Sequence, residues 1–205
     1  MELNNVPNDI ISNLNPISII IFIPLMDKLV YPALRKANIN FSPIKRITAG
    51  FFLASMSMIS STVIQYYIYK LHPLGNMPNS AENGEYAPIN VWVQSVPYAL
   101  IGFSEILASI TGLEYAYTKA PKNMKSMVTS LFLLMNAFSS AIAQALVALS
   151  EDPLLEWNYG LTAVLAALGG IAFWFSNRGL DKEEDKMNMQ SVGQFNARVP
   201  DVEEK

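Results

Sequence analysis

Residues 98–121, YALIGFSEILASITGLEYAYTKAP, set one carboxylate, that of Glu105, deep inside an apolar stretch long enough to cross a bilayer. Placing a charged side chain near the bilayer centre costs about 2.5–3.5 kcal/mol even on the insertion scales that give the lowest values. Such a residue usually lines a water-filled path or meets a partner charge. The stretch therefore predicts a membrane-spanning helix that carries a functional carboxylate.

The rest of the chain repeats this apolar pattern. Hydrophobic residues make up 51% of the 205 residues, and they cluster in five mostly uncharged runs of about 20 residues or more. We predict an all-α polytopic membrane protein with a five-helix region over 15–178, preceded by an outer loop over 1–14. The charged segment 179–205 is poor in aromatic residues and predicts a disordered cytoplasmic tail. The predicted spans are 15–34, 46–69, 91–117, 126–149 and 157–177.

Lysine and arginine are sorted between alternate loops. They flank the connection between spans one and two and that between spans three and four, whereas 1–14, 71–89 and 150–156 contain none. Because short cytoplasmic loops carry an excess of these cations, the amino terminus is predicted outside and the carboxyl terminus in the cytoplasm. We expect the protein to reside in the plasma membrane.

Several functional classes receive no support from the sequence. It contains no cysteine and a single histidine, so neither a disulfide nor a zinc site is expected. No basic run suggests a nucleic-acid partner. No phosphate loop, nucleophile elbow or dinucleotide fingerprint is present, so we predict neither an enzyme nor a bound cofactor.

The acidic residues of the spans divide by depth. Glu105 lies about 20 Å along span three, and we weigh a role in a substrate path against a structural carboxylate bonded to neighbouring helices. No lysine or arginine lies at that depth in any span, so a cationic partner would come from outside this chain. Asp27, Lys28 and Glu114 lie towards the cytoplasmic ends, where they could form an inner gate. The alternative for these three is that they reach for headgroups or pair with a nearby lysine.

Polar and aromatic residues elsewhere in the spans are weaker candidates. Phe132 and Asn136 are four residues apart in span four and share a helix face, so they could line a cavity or simply pack. In span one, Asn15 lies at the outer entrance. Pro24 should kink the helix and free a carbonyl near Ile20.

Three segments carry a family likeness, and in chain order they are NPISIIIFIPLMDKLVYPALRK, FSPIKRITAGFFLA and SEILASITGLEYAYTKAPKNMKS. The chain resembles the carboxyl-terminal part of the proton-coupled oligopeptide transporter (POT or PTR) family, most closely its fungal peptide transporters, over roughly 1–187. That family belongs to the major facilitator superfamily, and the resemblance implies that the five spans correspond to its helices eight to twelve.

The resemblance implies roles for four of the candidates. Glu105 matches the helix-ten glutamate that is associated with the peptide amino terminus, with proton coupling and with a lysine of the amino-terminal bundle. Asn15 matches a helix-eight asparagine that faces the peptide. Phe132 stands where bacterial relatives often carry tryptophan, and Asn136 where they often carry serine, so peptide selectivity stays open. The implied cargo is di- and tripeptides, with the proton as coupling ion.

The family's first bundle, including its helix-one signature and helix-four lysine, has no counterpart in this sequence. We therefore expect a truncated chain or an incomplete gene model that lies in the lipid bilayer and lacks the amino-terminal bundle needed for transport. Two alternatives stay open: a non-transporting membrane scaffold or assembly protein, and another major facilitator carrier, for example for nitrate or amino acids.

Overall fold

A computed structural model describes residues 13–37, 41–72, 87–150 and 154–179. Within these ranges five helices, α1 to α5, are long and apolar enough to cross a membrane. The predicted all-α polytopic fold is thereby confirmed. The predicted outer loop over 1–14 and tail over 179–205 lie almost entirely outside the described residues.

Two of the five helices contain an inserted π-helical turn. α1 comprises Leu14–Leu25, the π-helical Met26–Val30 and Tyr31–Lys36. α3 follows a 3₁₀ turn at Val91–Gln94 and comprises Ser95–Glu105, the π-helical Ile106–Ile110 and Thr111–Lys119. The other helices are α2 at Pro43–Leu71, α4 at Lys125–Ala145 and α5 at Leu155–Asn177. Short 3₁₀ turns at Lys122–Met124 and Val147–Ser150 flank α4, so the fourth span, predicted to reach 149, is α-helical only to 145.

The π-helical turn of α1 lies just ahead of a proline. The backbone N–H of Tyr31 donates to the carbonyl of Met26, five residues earlier. A proline ring at position 32 would clash with the carbonyl of Lys28 in a regular α-helix, and a wider turn relieves that clash. The kink predicted at Pro24 stays a prediction: the helix is α-helical through that proline, and the π-helical turn begins two residues later.

α2 is the central helix, and it packs against α5 on one side and α3 on the other. Two glycines allow these close approaches. A Cβ placed on Gly50 would lie 2.8 Å from the backbone nitrogen of Ala108 in α3, and one placed on Gly170 of α5 would lie 2.8 Å from the Cβ of Phe51. Small residues at helix crossings are the usual means of bringing membrane helices together.

Serine hydroxyls join α2 to both neighbours. Each hydroxyl donates to a backbone carbonyl of the adjacent helix and is buried within the bundle. Interhelical hydrogen bonds of this kind contribute about 0.6–1.7 kcal/mol each in membrane proteins. The three bonds run from Ser55 to Ala163 at 2.9 Å, from Ser57 to Pro97 at 2.7 Å and from Ser104 to Gly50 at 2.8 Å.

A small apolar cluster forms where the π-helical turns of α1 and α3 meet. Its buried members are Met26, Ile106 and Leu107. Beside it, the rings of Phe22 and Phe103 lie 4.2 Å apart between centroids. Most other large apolar side chains are exposed on the outer faces of the helices, as expected where lipid is the solvent.

α4 stands apart from the other helices. None of its residues is buried, and it packs mainly against Thr111–Lys119 of α3 and the short turns at its own ends. Its apolar side chains, such as Leu133, Phe138 and Ile142, are about three-fifths exposed. Most of the surface of α4 therefore makes no contact with the described part of the chain.

Candidate functional site

The structure brings together two of the predicted site residues, Asn15 of α1 and Glu105 of α3. The amide nitrogen Nδ2 of Asn15 donates to Oε2 of Glu105 at 3.4 Å. This is a long hydrogen bond between an amide and a carboxylate. Glu105 is otherwise exposed on the face of the bundle, and in the described residues no lysine or arginine forms an ion pair with it.

Helix geometry explains how these two side chains meet. Side chains on a helix tilt towards its amino terminus, so the carboxylate of Glu105 reaches back over the preceding turn of α3. There it meets the first turn of α1. Asn15, in the first turn of α1, therefore lies level with Glu105, about 15 Å along α3 from Ser95.

Gly102 lies beneath this pair, one turn before Glu105, and it allows α1 to approach closely. A Cβ placed on Gly102 would lie 3.1 Å from Oδ1 of Asn15 and 3.2 Å from the Cβ of Ser18. The Oδ1 atom is itself buried, and no donor among the described residues reaches it. Gly102 thus fixes where the Asn15 amide can lie, and sequence reasoning missed it. The signal was a glycine three residues before a membrane carboxylate, on the same helix face.

The predicted inner-gate residues are exposed and separate. Asp27 and Lys28 lie in the π-helical turn of α1, and Glu114 lies in the last part of α3. Within the described ranges these three side chains form no ion pair with one another. Close by, the ammonium group of Lys125 lies 4.5 Å from the centre of the Tyr117 ring.

Phe132 and Asn136 lie on α4, away from the Asn15–Glu105 pair. Phe132 is half-buried and Asn136 is exposed. Across the described part of the chain, no hydrogen bond or ring contact joins either residue to Asn15 or Glu105. Asn15 of α1 and Glu105 of α3 are therefore in contact, whereas the two candidates on α4 are not part of that pair.

Arg46 makes two contacts that the sequence did not predict. Its Nε donates to the carbonyl of Phe41 at 2.9 Å, and its guanidinium lies 4.1 Å from the centre of the Tyr31 ring. A planar guanidinium can stack on an aromatic ring while it donates a hydrogen bond, and the ammonium group of lysine cannot do both in this way. It holds the start of α2 against the end of α1.

In the ranges that the structure describes, no group of three or more histidine, aspartate or glutamate side chains comes together. The Asn15–Glu105 pair offers the chemistry of a carboxylate beside an amide. Such a carboxylate can bind a proton or a protonated amine, and the amide can orient it.

Comparison with known proteins gives consistent matches. The sequence model described as the POT family, PTR2, matches residues 1–160. The chain is 45% identical over 189 residues to the probable peptide transporter ptr2 of Schizosaccharomyces pombe and covers 30% of that protein. It is 45% identical to peptide transporter PTR_C of Candidozyma auris and 43% identical to peptide transporter PTR2 of Saccharomyces cerevisiae, covering 33% and 31% of them. Each of the three alignments includes 92% of this chain.

Solved structures give the same picture. An auto-inhibited POT family peptide transporter superposes with a TM-score of 0.58 and 26% identity, over 80% of this chain and 32% of that one. The POT family transporter PepTSo gives 0.55 and 25%, over 87% and 33%. The chain thus spans about a third of the length of the relatives it matches.

Proposed function

We propose, starting from the fact that the chain belongs to the POT family, that it forms the carboxyl-terminal part of a proton-coupled symporter of di- and tripeptides. One observation carries the proposal: the amide of Asn15 meets the exposed carboxylate of Glu105 across two membrane helices. An ionisable group at membrane depth is costly and typically marks a substrate or proton path. Here it is held by an amide rather than neutralised by a cation of the described chain.

In this proposal Glu105 has two alternative partners. Its carboxylate can bind a proton, or it can pair with the charged amino terminus of a peptide. Because one carboxylate cannot do both at once, a peptide that binds Glu105 displaces its proton, and symport then requires a second group, outside the described residues, that carries the proton in the same direction. Asn15 favours one orientation of the carboxylate through its long hydrogen bond. The lysine that the family places in its amino-terminal bundle would supply a third, exchangeable partner.

The other predicted residues take supporting roles. We assign Phe132 and Asn136 to the wall of the peptide pocket, which requires the exposed face of α4 to meet parts of the transporter outside the described residues. We assign Asp27, Lys28 and Glu114 to an inner gate. Their exposure leaves all three available to partners on a facing bundle.

Transport by this chain requires a second bundle. The relatives it matches are about three times longer, and alternating access in this superfamily arises from two bundles that rock around a central site. We therefore propose that the 205-residue chain alone does not transport. The alternating distribution of lysine and arginine supports an orientation with the amino terminus outside and the carboxyl terminus in the cytoplasm, and we propose the plasma membrane as the location.

The test is a fusion of this chain to the amino-terminal two thirds of the Schizosaccharomyces pombe relative, assayed for dipeptide uptake driven by external acid. We expect Glu105→Gln to abolish acid-driven accumulation of dipeptide while surface expression is retained. The glutamine side chain cannot take up and release a proton as the carboxylate does. Glu156→Gln, which removes the same charge from the first turn of α5, is the matched control and should transport normally.

Two outcomes would contradict the proposal. Acid-stimulated uptake by the Glu105→Gln fusion at the level of the control would remove the carboxylate from the coupling mechanism. Robust dipeptide uptake by the 205-residue chain expressed alone would overturn the requirement for a second bundle. The two results are independent of each other.

A further inference from the structure

The π-helical turn of α3 begins immediately after Glu105. It spans Ile106–Ile110 and divides α3 into a first half, Ser95–Glu105, and a second half, Thr111–Lys119. A π-helical turn closes its hydrogen bonds over five residues rather than four, so it contains one residue more than an α-helical turn. Such turns are frequent at functional sites, and this one adjoins the carboxylate of the candidate site.

Thr111 closes the turn with two hydrogen bonds to one carbonyl. Its backbone N–H donates to the carbonyl oxygen of Ile106, five residues earlier, and its hydroxyl donates to the same oxygen at 3.2 Å. Thr111 is 5% exposed and Ile106 is 4% exposed, so the surroundings do not compete for this carbonyl. A hydroxyl bond across five residues exists only while the turn is wide.

Four threonines elsewhere in the bundle have a different hydroxyl partner. Each donates to the carbonyl four residues earlier, which is the usual acceptor in a regular helix. These are Thr48, Thr62, Thr129 and Thr162. For Thr111 the residue four positions earlier is Leu107, yet its hydroxyl bonds to Ile106. The hydroxyl of Thr111 is thus bonded in a way that belongs to the π-helical turn.

The extra residue keeps one face of α3 against α2. Ser104 donates to the carbonyl of Gly50 at 2.8 Å, and Ala108 lies against the same glycine. One turn further on, Gly112 faces Ile47. Ser104 and Gly112 would point about 80° apart in a regular helix, and one more residue in the turn reduces this angle to about 20°. Both halves of α3 can therefore pack on α2 at once.

The same rotation directs Glu105. It follows Ser104 by one residue, so its side chain points about 100° round the helix from the α2 face, where it meets Asn15 of α1. If the turn became α-helical while Gly112 kept its place on α2, the first half of α3 would rotate by about 100°. The carboxylate would then lose its contact with the Asn15 amide.

We propose that Thr111 is a positioning residue for Glu105. It lies six residues after Glu105 and acts through the backbone between them. Its hydroxyl holds the π-helical turn open, the turn sets the rotation of the first half of α3, and that rotation places the carboxylate beside the amide. The consequence for transport rests on the proposed function of Glu105, whereas the geometric effect does not.

Cross-linking tests the geometry in the 205-residue chain. The sequence contains no cysteine, so Asn15→Cys with Glu105→Cys provides one defined pair for a short bifunctional thiosulfonate. Phe51→Cys with Phe173→Cys provides a second pair, between α2 and α5, where the two rings lie 5.9 Å apart. We expect Thr111→Val, which removes the hydroxyl and keeps the β-branched shape, to slow cross-linking of the first pair several-fold and to leave the second unchanged.

Two variants serve as controls. Thr111→Ser retains the hydroxyl, and Thr129→Val removes a hydroxyl that is bonded in the regular way. Both should cross-link the first pair as the chain with Thr111 and Thr129 does. In the fusion transporter, Thr111→Val should raise the KM for dipeptide several-fold. It should have no further effect once Asn15→Ala has removed the amide, because residues that act through one contact are not additive.

Three results would overturn the proposal. Equal cross-linking of positions 15 and 105 in Thr111→Val and Thr129→Val would show that the hydroxyl does not hold the turn. Slower cross-linking of both pairs, or an equal loss in Thr111→Ser, would assign Thr111 to packing alone. Additive effects of Thr111→Val and Asn15→Ala on KM would show that Thr111 does not act through the pair. Failure of the proposed function appears separately, as normal uptake by the Glu105→Gln fusion.

Discussion

Replacing Gly50 by alanine tests the crossing of α2 and α3 directly. The new methyl group would lie 2.8 Å from both the backbone nitrogen and the Cβ of Ala108, and 3.0 Å from the carbonyl oxygen of Ser104. Two of these three atoms belong to the backbone, so no side-chain rotation relieves the clash. Ordinary contact begins at 3.4 Å, and the helices must therefore separate by about 0.6 Å at this point.

That separation has a calculable cost. It stretches the bond from the Ser104 hydroxyl to the Gly50 carbonyl from 2.8 Å to about 3.4 Å, past the range of about 2.5–3.0 Å that is usual for a hydroxyl donor. Loss of this bond costs about 0.6–1.7 kcal/mol, and overpacking costs about 1–3 kcal/mol. The higher helix propensity of alanine offsets up to about 1 kcal/mol. We expect a net loss of about 2 kcal/mol.

The measurement is equilibrium unfolding in mixed micelles with increasing SDS, followed by tryptophan fluorescence. Gly160→Ala is the matched control, because a Cβ there meets nothing within 4 Å, and it should leave stability unchanged or slightly raised. Ser104→Ala added to Gly50→Ala should cost little more, since the first change already breaks the bond. Equal stability of the Gly50 and Gly160 variants, or fully additive effects of the pair, would refute this account of the crossing.

Two further predictions concern neighbouring contacts. Gly102→Ala in the fusion transporter should raise the KM for dipeptide several-fold with little change in kcat, because the methyl group displaces the Asn15 amide. Gly112→Ala is the control, since its Cβ would make only an ordinary contact at 3.9 Å. An equal KM in both variants would contradict the role of Gly102 in positioning Asn15. Ser57→Ala should lower the free energy of unfolding by about 1 kcal/mol, because this serine is 1% exposed and its hydroxyl joins α2 to α3; an unchanged SDS midpoint would show that the bond contributes nothing.

The membrane fold follows from the sequence because its cause is local. A helix must satisfy its own backbone in lipid, so five long apolar runs specify five helices, whatever their neighbours are. The π-helical turns were not predicted, since one extra residue in a turn barely changes an apolar pattern. At Tyr31 the following proline offers a reason in retrospect. For Ile106–Ile110 we find no comparable sequence signal.

The candidate site was predictable only in part. Glu105 stands out from the sequence because a charge in an apolar run is rare. Its contact with Asn15 joins residues 90 positions apart in the sequence. A local sequence pattern cannot predict a contact between residues so far apart in the chain. Gly102 was missed because its role is to leave space for a side chain of another helix. The placement of Phe132 and Asn136 depends on what faces α4, and the described residues bury no part of that helix.

The hydroxyl bonds of α2 have a consequence for how the protein is made. Ser55 is synthesised 108 residues before the carbonyl that it binds in α5, and Ser57 is synthesised 40 residues before its partner. While the chain is still being inserted, these hydroxyls must be satisfied temporarily, most simply by carbonyls of their own helix. Insertion therefore includes an exchange of partners, and α2 and α5 are joined by this bond only after α5 has been synthesised.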